Sequence, residues 1–135
     1  MTRTLLELET TRHVIGAFYD VYNTLGYGFL ERVYADALEI ELVARGRKVS
    51  REVLIPIYYK GKRISSQRAD MLVDDCVLVE NKSTRTLPLE ADRQLTNYLC
   101  ASPFSVGFLL HFGPKARFYR RVHSDKSGII RADSR

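Results

Sequence analysis

Apolar residues recur at helical spacing from about Thr11 to Leu25, where Val14, Ile15, Phe18, Val21, Tyr22 and Leu25 form one stripe and Gly26 supplies a stop. After the elbow Tyr27-Gly28, a second stripe of Leu30, Val33, Tyr34, Ala37, Leu38 and Leu42 predicts a helix from about Leu30 to Ala44 that ends at Gly46. The period then changes to two. Val49, Val53, Ile55, Ile57 and Tyr59 alternate with mostly polar neighbours, as a half-buried strand does, and Pro56 marks an edge or a bulge. The turn Lys60-Gly61 leads to a strand containing Arg68-Ala69-Asp70-Met71-Leu72-Val73, and Asp74-Asp75 separates it from the apolar run Val77 to Lys82. Leu87-Pro88-Leu89-Glu90 opens a helix through about Cys100 with Ala91, Leu95 and Leu99 inward, and Ser102-Pro103 ends it. Phe104 to Phe112 reads as a strand buried on both faces, paired across Gly113-Pro114 with a last strand, Ala116 to Val122.

This order predicts an α/β domain with a mixed β-sheet flanked by helices. The helix between the last two apolar strand groups makes a right-handed crossover, so the strands on either side of it run parallel. One domain over residues 1–123 is expected, followed by a tail from Ser124 to Arg135 that has no periodicity and reads as mobile. A length of 135 residues with 45% hydrophobic content is enough for one core. No stretch reaches the length of a membrane span, and Glu7 and Glu9 interrupt the first apolar run where a signal peptide would need continuity, so a cytoplasmic location is expected. Cys76 and Cys100 are far apart in apolar surroundings and read as buried free thiols.

A net charge of +5 and a pI near 9.4 favour a polyanionic partner. Arg45-Gly46-Arg47-Lys48, Lys60-Gly61-Lys62-Arg63 and Lys115-Ala116-Arg117 fall at expected loops, and Arg120-Arg121 ends the last strand. Converging on one rim, they would track phosphates; scattered, they would only solubilise the chain. His13, His111 and His123 have no partner at metal-ligand spacing, and neither a Gly-x-Ser-x-Gly elbow nor a phosphate-binding glycine loop occurs. ATP-driven chemistry and serine nucleophiles are thereby disfavoured.

The chemistry concentrates elsewhere. Glu80 and Lys82 are two apart on a strand and share a face. Alone they are an ordinary surface ion pair. An odd-length loop from Asp74 to Cys76 would set Asp70 opposite Glu80, and two carboxylates that close repel unless a cation lies between them. Hard oxygen ligands suit Mg²⁺ or Mn²⁺, the carbonyl of Asn81 could add a third, and Lys82 would stand beside the attacking water. The set reads as a metal-dependent phosphodiester-cleaving centre. Gln94 and Tyr98 are one helical turn apart on one face. Glu31 opens a helix, where an acid also suits the dipole, and Tyr34 reads as packing.

Asp70…Glu80-x-Lys82 resembles the core of the PD-(D/E)XK nuclease superfamily. Gly28-Phe29-Leu30-Glu31-Arg32-Val33-Tyr34 resembles the signature of the GxxExxY proteins, and Gln94 with Tyr98 is similar to the Gln-x-x-x-Tyr helix motif of RecB-like and Cas4-like nucleases. The resemblance runs from the first helix to Val122. It implies a restriction-endonuclease-like fold and a Mg²⁺-dependent nuclease, with Mn²⁺ as a substitute. Asp70, Glu80, Lys82 and Gln94 would be catalytic, Glu31 would join Asp70 and Glu80 at the metal, and Tyr98 would face the substrate, with Arg47, Lys62 and Arg117 holding phosphates. Nucleic acid is the expected partner, DNA ahead of RNA, with a homodimer as the expected assembly. Members of the fold usually carry an apolar residue between the Glu and the Lys, where this chain has Asn81. The competing class is a nucleic-acid- or partner-binding module on the same fold without catalysis.

Overall fold

The structure is a computed structural model and describes residues 2–124. Its elements are α1 (Arg3–Leu25), α2 (Glu31–Ala44), β1 (Val49–Tyr59), β2 (Lys62–Val73), β3 (Val77–Lys82), α3 (Leu89–Ala101), β4 (Val106–Phe112) and β5 (Ala116–Val122). The five strands form one sheet in the order β1-β2-β3-β4-β5, antiparallel throughout except for the parallel β3–β4 pair that α3 connects. The expected mixed sheet flanked by helices is present. The mobile tail expected from Ser124 on lies, from residue 125, outside the described residues.

The helices sort to the two faces by their apolar stripes. Val14, Phe18 and Val21 of α1 and Tyr34, Leu38 and Leu42 of α2 pack with Val77, Val79, Phe108 and Leu110 on one face. Leu95, Tyr98 and Leu99 of α3 pack with Leu72, Leu78 and Leu109 on the other. Contact there is close because Gly107 has no side chain: a Cβ at that position would stand 2.8 Å from Leu95 Cδ1. Leu30 and Val33, assigned to the inner stripe of the second helix, are exposed, because the elbow ahead of α2 carries them past the sheet. Cys76 is buried, as expected, but Cys100 is exposed on α3, off the stripe of Leu95 and Leu99.

Two boundaries differ from expectation. α1 begins eight residues earlier than Thr11, capped by the Thr2 hydroxyl, which accepts from the Leu5 N–H at 3.2 Å. Leu5 and Leu8 of these added turns are exposed, so the apolar stripe there is weak. β4 begins at Val106, because Phe104 turns its side chain toward the α3 cluster while its N–H meets the Ser102 hydroxyl.

The β1–β2 hairpin changes faces along its length. Val49 packs against the α1–α2 layer, yet Val53 and Ile57, at positions of the same parity, pack on the α3 side with Ile55. The register explains this: Arg51 pairs with Met71 and Val53 with Ala69, leaving Glu52 and Asp70 out of the ladder. Glu52 has φ +52°, the left-handed region, which rotates the strand at that point. Pro56 lies on an edge strand, as read from the sequence, and the register itself shifts at Ile57/Tyr58.

Candidate active site

The β2–β3 turn has the expected odd length, with Val73 opposite Val77 and Met71 opposite Val79. Extending that register by one residue sets Asp70 opposite Glu80, but the ladder stops short of them. Instead each carboxylate takes a main-chain donor from the other strand: the Asp70 N–H donates to Glu80 Oε1 at 2.8 Å, and the Asn81 N–H donates to Asp70 Oδ2 at 2.7 Å. These reciprocal bonds fix both side chains while leaving one oxygen of each carboxylate uncommitted by them. Glu80 is 3% exposed.

Burial and mutual repulsion govern the electrostatics. Burial and the neighbouring Asp70 charge push Glu80 up to about 8, opposed by the Asp70 N–H and by Lys82. Asp70 is raised by burial, against the pull of the Asn81 N–H, Lys82 and Arg51. Glu31, in the first turn of α2, is raised by burial and by Asp70 and lowered by Lys82, so it shares the field of the pair. Glu31 and Asp70 line one cleft of about 250 Å³ with Arg32, Ala35, Arg51 and Glu52. Neither Arg51 nor Glu52 belongs to a motif, although Arg51 breaks the alternation by standing at the parity of Val49 and Val53. Arg51 is anchored to α2 through Asp36 at 3.0 Å and Glu39 at 2.8 Å, which keeps a cation beside the site.

Among the described residues no three His, Cys, Asp or Glu side chains are drawn close enough to form a ready metal cage. The structure thus joins Asp70 and Glu80 and leaves Glu31 across the cleft from them. The donor set still suits a hard divalent cation: two carboxylates on adjacent strands, each with a free oxygen, both raised by burial and Glu80 further by the Asp70 charge.

The Gly28, Glu31 and Tyr34 spacing acquires a local explanation. Gly28 has φ +119°, open to glycine and strained for other residues. Tyr34 is fully buried, as expected of a packing residue, and stacks on Phe112 with ring centroids 4.4 Å apart. Its hydroxyl donates to the Gly26 carbonyl at 2.5 Å and accepts from the Phe29 N–H at 3.3 Å. The tyrosine thereby clamps the elbow from which Glu31 starts α2.

The remaining expected residues divide. Lys82 ends β3 and is half-buried. Tyr98 does not face solvent: it is buried, and its hydroxyl donates to the Arg68 carbonyl at 3.2 Å, tying α3 to β2 two residues before Asp70. Its hydroxyl is thus a tie between α3 and the strand that carries Asp70. Gln94 lines an open cleft of about 640 Å³ between α3 and the β1–β2 hairpin, with Tyr98, Pro56, Ile57, Tyr58 and Gln67.

Arg47 is engaged by two carboxylates. It precedes β1 at the Val49–Val73 end of the sheet, away from Lys82, and its guanidinium meets Asp74 at 3.2 Å and Glu9 at 3.6 Å. It fastens α1 and the β2–β3 turn to the start of β1, and its acid partners lie too far off in sequence to be foreseen. Arg45 is likewise engaged with Asp20 and Glu41, Lys48 with Asp75, and Arg121 with Asp92. Lys62, at the β1–β2 tip, and Arg117, in register with His111 and through it with Lys82, remain at the end of the sheet where β3 finishes. The basic clusters therefore do not form a single rim.

No helix among the described residues is long and apolar enough to cross a membrane. No curated protein matches the sequence significantly. The fold is similar to that of a chain in the crystal structure of SSO0001, with a TM-score of 0.55 and 25% identity, an alignment covering 96% of this chain and 66% of that one. This chain thus spans just under two thirds of that chain's length. The sequence matches the family model of the PD-(D/E)XK nuclease superfamily over residues 8–122. With Asp70, Glu80 and Lys82 assembled on adjacent strands inside that span, the chain belongs to the PD-(D/E)XK nuclease superfamily.

Proposed function

We propose that the protein is a metal-dependent nuclease that hydrolyses nucleic-acid phosphodiester bonds. The observation that carries this reading is the Asp70–Glu80 pair, locked by two reciprocal main-chain bonds with one oxygen of each carboxylate left over, beside Lys82. A buried acid beside a second, half-buried one is costly unless a cation joins them. Asp70 and Glu80 would bind Mg²⁺, or Mn²⁺ in its place, with Glu31 facing them from α2. When bound, the ion would lower the pKa of water and offset charge on the phosphate. Lys82 would orient the attacking water and balance charge on the non-bridging oxygens, while Gln94 would position substrate and Tyr98 would hold Asp70 through Arg68.

The Gly28…Glu31…Tyr34 geometry supports a GxxExxY type within the superfamily, and the Gln94–Tyr98 pair supports the relation to RecB-like and Cas4-like helices. DNA is placed ahead of RNA as substrate. The deciding experiment is cleavage of labelled single- and double-stranded DNA and RNA, with Mg²⁺, Mn²⁺ or EDTA, using Glu80→Gln and Lys82→Ala as controls. Cleavage that needs the divalent ion and both side chains is the expected result. Metal-independent cleavage, or none with any substrate, overturns the proposal and leaves a binding module. Light scattering on the same preparation tests the homodimer.

A further inference from the structure

A second cleft, of about 360 Å³, opens beside the end of β3 and is lined by Arg85, Leu87, His111, Lys115, Arg117 and Tyr119, with Thr86 and Pro114 at its margin. Its location follows from register. Lys82 pairs with His111 and His111 with Arg117 across adjacent strands, so the three project to one face at successive strand spacings, about 5 Å apart. The cleft therefore begins within about 10 Å of Lys82 along the sheet.

Three of its residues are cations without an acidic partner among the described residues: Arg85, Lys115 and Arg117. This contrasts with Arg45, Arg47, Lys48, Arg51 and Arg121, each of which is paired with a carboxylate. Three like charges facing one concavity repel, and an anion relieves that repulsion. The cleft is also organised rather than incidental. The His111 ring is buried, and its Nε2 lies 2.6 Å from the Thr84 carbonyl, an acceptor, so that Nε2 carries the proton and donates. That bond fastens the loop bearing Arg85 to β4. The ring fits because Gly113 has no side chain, a Cβ there lying 2.6 Å from His111 Cε1.

Between the cations the walls are apolar, formed by Leu87, Pro114 and the Tyr119 ring. Cationic margins with an apolar and aromatic wall match an unstacked nucleotide: phosphates meet the cations and the base meets the wall. A base inside a duplex is covered on both faces by its neighbours and cannot enter such a recess. We propose that this cleft binds a nucleotide of an unpaired nucleic-acid strand, adjacent to the position cut at Asp70 and Glu80. The adjacency rests on the nuclease reading, whereas binding in the cleft is measured without it.

The test is fluorescence anisotropy of the full chain in EDTA, where metal-dependent cleavage is silent, with a fluorescein-labelled 12-nucleotide oligothymidylate and a duplex of equal length. The expected result is preference for the single strand, with an Arg85→Ala, Lys115→Ala, Arg117→Ala variant losing at least tenfold in affinity. Its salt dependence should fall by about 0.7 for each phosphate contact removed. Tyr119→Leu, which keeps the cations, should weaken the single strand several-fold and the duplex little. A Lys60→Ala, Lys62→Ala, Arg63→Ala variant at the hairpin tip, which removes as much exposed charge elsewhere, should lose less. Unfolding curves identify any variant that fails to fold, in which case Arg117→Glu, a change at an exposed strand position, replaces the triple variant. Wild-type affinity in a folded cleft variant, or equal losses for duplex and single strand, overturns the inference even if the protein cuts. Cleft-dependent binding by a chain that never cuts sustains the binding site and removes only the nuclease reading.

Discussion

Glu80 makes the stability of the metal-free protein depend on pH in a direction opposite to that of most acids. Its ordinary value is 4.5, and burial beside Asp70 raises it to about 8 in the folded chain. Below the ordinary value, folded and unfolded chains both hold the proton and there is no penalty. Between there and about 8 the folded chain keeps a proton that the unfolded chain has released. Stability therefore declines as pH rises through this window, by about 1.4 kcal/mol per pH unit for one proton retained. Glu80→Gln removes the titration but keeps an oxygen that can accept the Asp70 N–H. The variant should be more stable than wild type at pH 8, nearly equal at pH 5, and much flatter between. Urea unfolding at half-unit intervals measures both curves. Mn²⁺ added at pH 8 should stabilise the wild type, since the cation replaces the proton between the carboxylates, and should leave Glu80→Gln almost unchanged. Parallel curves for the two proteins in EDTA would refute the reasoning, because they would mean that Glu80 is not a strained acid. A calorimetric titration showing equal Mn²⁺ affinity in both would place the ion elsewhere.

Asn81 is fully buried, and its side-chain amide has no hydrogen-bond partner among the described residues. Asn81→Leu should raise stability by about 1–3 kcal/mol while leaving cleavage intact, because the main-chain N–H that holds Asp70 remains; thermal unfolding and turnover read the two effects. Tyr98→Phe removes the bond to the Arg68 carbonyl and should lower stability by about 1 kcal/mol with a modest loss of turnover. Gln94→Ala should leave the melting temperature unchanged while cleavage falls about tenfold. Gly107→Ala places a methyl against fully buried Leu95 and should destabilise by about 1–3 kcal/mol in urea unfolding without changing turnover per folded molecule.

The parts of the fold legible in the sequence are those where burial imposes a period. β1 and β5 match their expected limits, the crossover makes β3 and β4 parallel, and the three-residue turn brings Asp70 toward Glu80. Where burial is weak the pattern fails. The outer half of the β1–β2 hairpin, residues 62–68, is exposed along its whole length, so no alternation marks it as strand. Cys100 could have been placed outside from helical spacing alone, since it falls off the stripe of Ala91, Leu95 and Leu99. Arg47 and Tyr98 were illegible for another reason. What defines each is a contact with Asp74 or with the Arg68 carbonyl, some thirty residues away, and residue type alone does not report it.

The least legible feature is the one that aims the site. A regular ladder through Asp70 would have bound its N–H to a carbonyl of β3 and sent successive side chains to opposite faces. Here Glu52, Asp70 and Glu80 occupy one rung across three strands, and like charges opposite one another oppose pairing. The ladder gives way on both sides of Asp70. On the β1 side, Glu52 takes a left-handed backbone, a conformation nothing in its residue type announces. On the β3 side, the carboxylates take the place of the missing carbonyls, so Asp70 and Asn81 keep their N–H groups bonded. The exchange satisfies the main chain and ties each acid to the strand opposite it. Strain in β1 and repulsion between the acids are therefore two sides of one local defect, and the proposed cation at Asp70 and Glu80 would relieve the second.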